Sequence, residues 1–118
     1  MADAGLFVGW ASAARGREAK SLDVFNEALA YYGAKQESGA IEGFEVALLQ
    51  PHGGDLNGFI LVRGSDEQIQ ALQAEDEFQR LNTRAGLVVE GFGVVPVVLG
   101  EGLEQAIGVY QEAVSDLT

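Results

Sequence analysis

Two short apolar runs, 44–49 and 59–62, flank the loop Pro51-His52-Gly53-Gly54-Asp55-Leu56-Asn57-Gly58. This stretch, from Ile41 to Arg63, constrains the fold more than any other. Runs of Phe, Val, Ile and Leu bounded by Gly, Pro, Asn and Asp are strand signals, and the pair predicts a β-hairpin with a long loop. An antiparallel pair with one wet face alternates cleanly between apolar and polar residues. This pair does not. Phe44, Val46 and Leu48 share one face, while Ala47 and Leu49 lie on the other beside Glu45. In the second run Phe59 and Leu61 oppose Ile60 and Val62. Both faces need cover.

The elements around the hairpin follow from periodicity. Residues 1–5 read as a short polar lead-in. Residues 6–13 read as a strand with Leu6, Val8 and Trp10 on one face and Phe7, Gly9 and Ala11 on the other. Over 17–35 the period becomes helical, and Leu22, Phe25, Ala28, Leu29 and Tyr32 form one stripe. After the hairpin, Ser65-x-x-Gln68 matches a capping box at a helix start. The apolar rhythm of Ile69, Leu72, Phe78 and Leu81 breaks at Glu75-Asp76-Glu77. That break predicts two helical pieces, 66–74 and 76–85, with Gly86 as the C′ glycine. Residues 87–99 read as the last strand. Pro96 cannot donate to a ladder, so this strand belongs at an edge or a bulge. A final helix over 103–117 carries Leu103, Ile107, Tyr110 and Val114, a stripe that must bury itself on its own sheet, on another helix or on another subunit.

The order β-α-β-β-α-β is the ferredoxin-like arrangement, here with an added C-terminal helix. It is an α+β fold with both main helices on one face of an antiparallel sheet. The opposite face would present Val, Leu, Phe or Ile to water, and an apolar patch of that size marks an assembly surface. Two sheets packed face to face bury both patches, and the simplest closed solution is a homodimer. The element order, the doubly apolar strands, and the segment DEFQRLNTRAG leading into VVEGFGVVP resemble the dimeric α/β-barrel superfamily. That superfamily includes EthD-like and YCII-like proteins and small antibiotic-biosynthesis monooxygenases. The resemblance spans residues 6–99. It implies the fold and the pairing into a barrel, and it carries no catalytic residue onto this sequence.

Composition narrows the function. The 118 residues suit one domain, 1–118. With no cysteine the chain offers no thiol nucleophile and no Cys-type metal site, and a single histidine builds no ordinary zinc site, so neither metal nor cofactor is expected. A net charge of −11 argues against nucleic acid and against anionic membrane. No basic segment precedes an apolar core at the start, and no apolar run could span a bilayer, so the expected location is cytoplasmic.

His52, in the hairpin loop, is the candidate general base, and Arg63, at a strand end, is its candidate partner. Trp10, Tyr32 and Asn57 are candidate ligand-binding residues, since large amphipathic rings stack on aromatic ligands and offer donors. Each also has a structural reading: a loop histidine in solvent, an arginine paired with a surface carboxylate, aromatic rings in the core. Glu75, Asp76 and Glu77 read as a solvated helix start. Two functions stay open. One is a cofactor-free enzyme or small-molecule-binding protein, an oxygenase or isomerase acting on an apolar, aromatic or polyketide-like compound. The other is a non-catalytic homodimeric module.

Overall fold

A computed structural model describes residues 3–117, so Met1 and Ala2 of the expected lead-in, and Thr118, lie outside the described residues. The chain forms β1 (Ala4–Trp10), α1 (Glu18–Ser38), β2 (Gly43–Leu48), β3 (Gly58–Gly64), α2 (Asp66–Ala74), α3 (Asp76–Val88), β4 (Gly93–Val98) and α4 (Glu101–Leu117). The strands make one antiparallel sheet in the order β2-β3-β1-β4, the ferredoxin-like arrangement. Pro96 sits on β4, an edge strand, where a missing N–H costs no ladder bond on the open side.

Register decides the core. Leu6 faces Val62 and Val8 faces Ile60, and all four side chains are buried beneath the helices. Alternation sends Phe7, Phe59, Leu61, Val95 and Val97 to the opposite face. There Phe7 and Phe59 stack at 5.1 Å between ring centroids, and Val95 is 52 % exposed. Among the described residues no helix covers this face, so the two-sided apolar character of the hairpin is a property of the folded chain.

The helices follow the sequence signals closely at their starts. Ser65 and Gln68 form the reciprocal capping box, with the Gln68 N–H donating to Ser65 Oγ at 3.2 Å and the Ser65 N–H to Gln68 Oε1 at 2.8 Å. Glu75 takes an extended backbone and separates α2 from α3 as the broken rhythm predicted. Gly39, at φ 82°, ends α1 in the left-handed conformation that glycine adopts without strain.

Two expectations are corrected. The α1 stripe buries Val24, Tyr31 and Tyr32, whereas Leu22 is 64 % exposed, because the first turns of the helix face an open depression and not a strand. Gly86 does not end α3. The helix continues to Val88, which is buried, and the strand expected from residue 87 starts only at Gly93. The segment after β1 completes that end of the helix: Ala14 N–H donates to Val88 O at 2.8 Å, and Ala11 N–H to Glu90 O at 2.8 Å. Among the burial sites open to the α4 stripe, its own chain supplies none: no described side chain of α4 is buried. Its first turn meets the end of β4 and Asp3, and the rest of its length is exposed. The radius of gyration is therefore 16.2 Å, against about 13–14 Å for a compact chain of this length. No helix among the described residues is long and apolar enough to cross a membrane.

Gly5 leaves no room for a side chain, since a Cβ there would lie 2.4 Å from the Val62 carbonyl oxygen on β3. Gly5→Ala must push the two central strands apart. It should cost about 1–3 kcal/mol in urea denaturation; an unchanged midpoint would show that the strands part freely.

Candidate functional site

Between α1, α3 and the sheet lies a cavity of about 50 Å³. Val8 and Ile60 form its floor, and Val24, Leu81 and Ala85 contribute to its walls. That exceeds the roughly 10–15 Å³ a cavity needs to hold a water. Its lining is mostly apolar, with Trp10, Tyr32, Ser21 and Asn82 as the residues there that carry polar groups.

Tyr32 is the decisive residue. It is 1 % exposed, wedged between the rings of Tyr31 at 5.3 Å and Phe44 at 5.9 Å. Its hydroxyl has no hydrogen-bond partner among the described residues. A buried hydroxyl left unpaired costs about 1–3 kcal/mol. Burial also pushes its pKa well above the usual phenol range, so it stays protonated and acts as a donor.

Trp10 meets Phe25 edge to face at 5.8 Å. Both rings also line a second, surface depression of about 180 Å³, which includes Leu22 and Leu48. Trp10 and Phe25 thus line both the inner cavity and this apolar vestibule beside it.

Of the candidate residues, Trp10 and Tyr32 come together in this cavity. The other three lie outside it. His52 is exposed and engaged in its own loop: Gly54 N–H donates to Nδ1 at 3.2 Å, so Nε2 carries the proton that it gives to Leu56 O at 2.8 Å. Arg63 lies on the uncovered face and pairs with Glu45 at 2.8 Å. Asn57 works through its backbone, its N–H donating to Trp10 O at 2.9 Å and its carbonyl accepting from Leu49 N–H at 2.8 Å. Those bonds tie β2, β3 and β1 together at the end where Trp10 sits.

Ser21, Phe25 and Asn82 were not singled out from the sequence as cavity residues. Ser21 and Asn82 carry no sequence signal of their own, because polar residues at helical spacing read as solvent-facing. Glu75 was read as part of a solvated helix start. It in fact accepts a hydrogen bond from Tyr31 Oη at 2.7 Å and pairs with Lys35 Nζ at 2.6 Å. The break in the apolar rhythm was its signal. The Lys35 ammonium, then the Tyr31 hydroxyl, hold the Glu75 carboxyl below its ordinary value. Burial, then the hydrogen bond to Glu75, push Tyr31 up. This latch joins α1 to the α2–α3 junction one residue from Tyr32. Among the described residues, no group of three or more His, Cys, Asp and Glu is arranged to hold a metal.

No family model and no curated protein matches the chain. Solved structures do. A dimeric protein of unknown function and ferredoxin-like fold from Bacteroides fragilis NCTC 9343 superposes with a TM-score of 0.61 at 14 % identity, covering 81 % of this chain and 95 % of its own. A dimeric ferredoxin-like protein of unknown function from Jannaschia sp. CCS1 gives 0.59 at 14 % identity, covering 82 % and 97 %. SnoaB, a cofactor-independent oxygenase from Streptomyces nogalater, gives 0.53 at 17 % identity, covering 83 % and 94 %. This chain has their fold. At such identities the likeness carries the architecture and no site residue. The ferredoxin-like fold read from the sequence therefore stands on structure as well as on pattern.

The Glu75 latch makes a pH prediction. A carboxyl whose folded pKa is lowered stabilises above its unfolded value, and the contribution is lost as pH falls through the folded value. Glu75→Gln should lower the melting temperature near neutral pH, and the gap to the parent should narrow below about pH 4. A gap that is the same at both pH values would show that the charge contributes nothing.

Proposed function

We propose that the chain binds a neutral, largely apolar small molecule in the cavity between α1, α3 and the sheet, and that it works as a homodimer paired through its uncovered sheet face. One observation carries the binding reading. Tyr32 lines an apolar cavity, and its buried hydroxyl has no partner among the described residues, so a ligand carbonyl or hydroxyl oxygen that reached it would remove a standing cost. Trp10 would stack on an aromatic ring. The inner cavity alone admits a small group, and a polycyclic ligand needs the Trp10–Phe25 pair to swing aside and join it to the vestibule.

The catalytic form of this reading is a cofactor-free oxygenation or isomerisation of an aromatic or polyketide-like compound. The fold shared with SnoaB supports it. Tyr32 would then donate to oxygen that gains negative charge as the ligand is deprotonated. His52 and Arg63 could take part in such a reaction only if a ligand or a second subunit reached them. The homodimer reading draws on the exposed apolar face and on the dimeric state of the Bacteroides and Jannaschia proteins. A second reading, a non-catalytic homodimeric module, draws on the small inner volume and on the self-contained hydrogen bonding of His52.

Tyr32→Phe separates these readings. Removing the unpaired hydroxyl should leave the melting temperature unchanged or raise it by several degrees, about 1 kcal/mol or more. A panel of hydroxylated naphthalenes and anthracenes should shift Trp10 emission in the parent, and the shift should weaken or vanish in the variant. If no compound shifts Trp10 emission or the melting temperature of the parent, the non-catalytic module is the better account. For the dimer, Phe59→Asp should halve the mass measured by light scattering, whereas an unaltered mass would remove the sheet face from the interface.

A further inference from the structure

We propose that the ligand of this site is a neutral compound with a single aromatic ring and one small oxygen substituent, and that Phe25 sets the one-ring limit. This rests on the binding reading above and narrows it. Two volumes define the limit. The inner cavity measures about 50 Å³, whereas a cavity of about 150 Å³ holds benzene. The vestibule beside it measures about 180 Å³. One benzene ring therefore has room in the vestibule, with little left over, and none in the inner cavity. Trp10, Ser21, Phe25 and Val89 line both spaces, so the two adjoin. A ring in the vestibule has the inner cavity next to it, with room there for a small substituent.

Register builds the vestibule's base. Trp10 and Leu48 are both paired with Gly58, one from each neighbouring strand. A Cβ on Gly58 would lie 2.6 Å from Cζ2 of Trp10 and 3.0 Å from Cδ2 of Leu48. Both side chains thus close in over the glycine and offer a ring one continuous apolar surface. Leu48 is 68 % exposed, and Leu22 of α1 adds a second exposed leucine to the same depression. No charged side chain lines either space, although the chain carries a net charge of −11. A carboxylate or phosphate buried there would lose its hydration with no cation to replace it, so the ligand is neutral. The oxygen belongs in the inner cavity, because Tyr32 lines it and the Tyr32 hydroxyl has no partner among the described residues.

Of the four shared residues, Phe25 is the one whose side chain decides the size. Ser21 is small, and its hydroxyl donates to Glu18 O at 2.6 Å. Val89 is held by its N–H bond to Ala85 O at 3.1 Å and by its bridge to Ala13. Trp10 is packed over Gly58. Phe25 is half-buried on α1 and meets Trp10 edge to face. Its ring is the one large shared group that is not packed down on the sheet. Taking that ring away joins the two spaces and makes room for a second fused ring.

Calorimetric titration of the full chain with phenol and with 2-naphthol reads the limit. A second ring adds apolar area, so a site with room for it favours 2-naphthol by about tenfold or more. The parent is expected to bind phenol at least as tightly as 2-naphthol. In Phe25→Ala the preference should turn toward 2-naphthol by about tenfold or more. Phe25→Leu keeps an apolar side chain there and should move the preference the same way, which preserves the test if the alanine variant does not fold. Leu29→Ala lies on the same helix and lines neither space, so it should keep the parent's preference. A parent that already favours 2-naphthol by about tenfold overturns the one-ring limit and leaves the binding reading standing. A preference that is unmoved in both Phe25 variants, or moved as far in Leu29→Ala, overturns the role of Phe25. No heat of binding with either compound in any of these proteins overturns this inference and the binding reading together.

Discussion

The structure depends on two central strands that are apolar on both sides. β1 and β3 pair along their whole length, from Ala4–Gly64 to Trp10–Gly58. Period-2 alternation then leaves no choice: Leu6, Val8, Ile60 and Val62 go under the helices, and Phe7, Phe59 and Leu61 go to the other side. A one-residue slip would exchange the two sets, but it would also drive Gly5 away from the Val62 carbonyl that its missing side chain accommodates. The close approach at Gly5 and the register are thus one constraint. The helices can satisfy only half of the apolar area this pairing creates, and the other half is what an assembly would use.

The cavity arises from the same arrangement. α1 and α3 pack over the Trp10 end of the sheet, and there the backbone of residues 11–14 completes the end of α3 while Asn57 closes the β2–β3 loop against Trp10 O. At the other end of α1 the Tyr31–Glu75–Lys35 latch fixes the helix against the α2–α3 junction. Tyr32 is held between these two anchors, next to Tyr31 in sequence and against Phe44 in space. Its rigidity follows from that packing. An unpaired hydroxyl at so constrained a position cannot relieve itself by rotating the side chain out to water.

The sequence by itself determined the element order, the capping box at Ser65, the break at Glu75, the edge placement of Pro96 and the uncovered sheet face. These are local or periodic properties: a cap needs two residues three apart, and a strand face needs only alternation. It also put Trp10 and Tyr32 among residues able to meet a ligand, because large rings on apolar stripes are legible one element at a time. Tertiary structure alone decided which of the candidates converge. His52 and Arg63 read as functional from residue type, but a loop that hydrogen-bonds to itself and a side chain on the far face of the sheet cannot be told from site residues by spacing. Ser21 and Asn82 carried no signal, since a polar helical position is assigned to water or core by its neighbours in space. The same reason governs α4. Its stripe was visible, but whether a stripe is buried depends on where the preceding strand releases the helix, and the end of β4 releases this one away from its own domain.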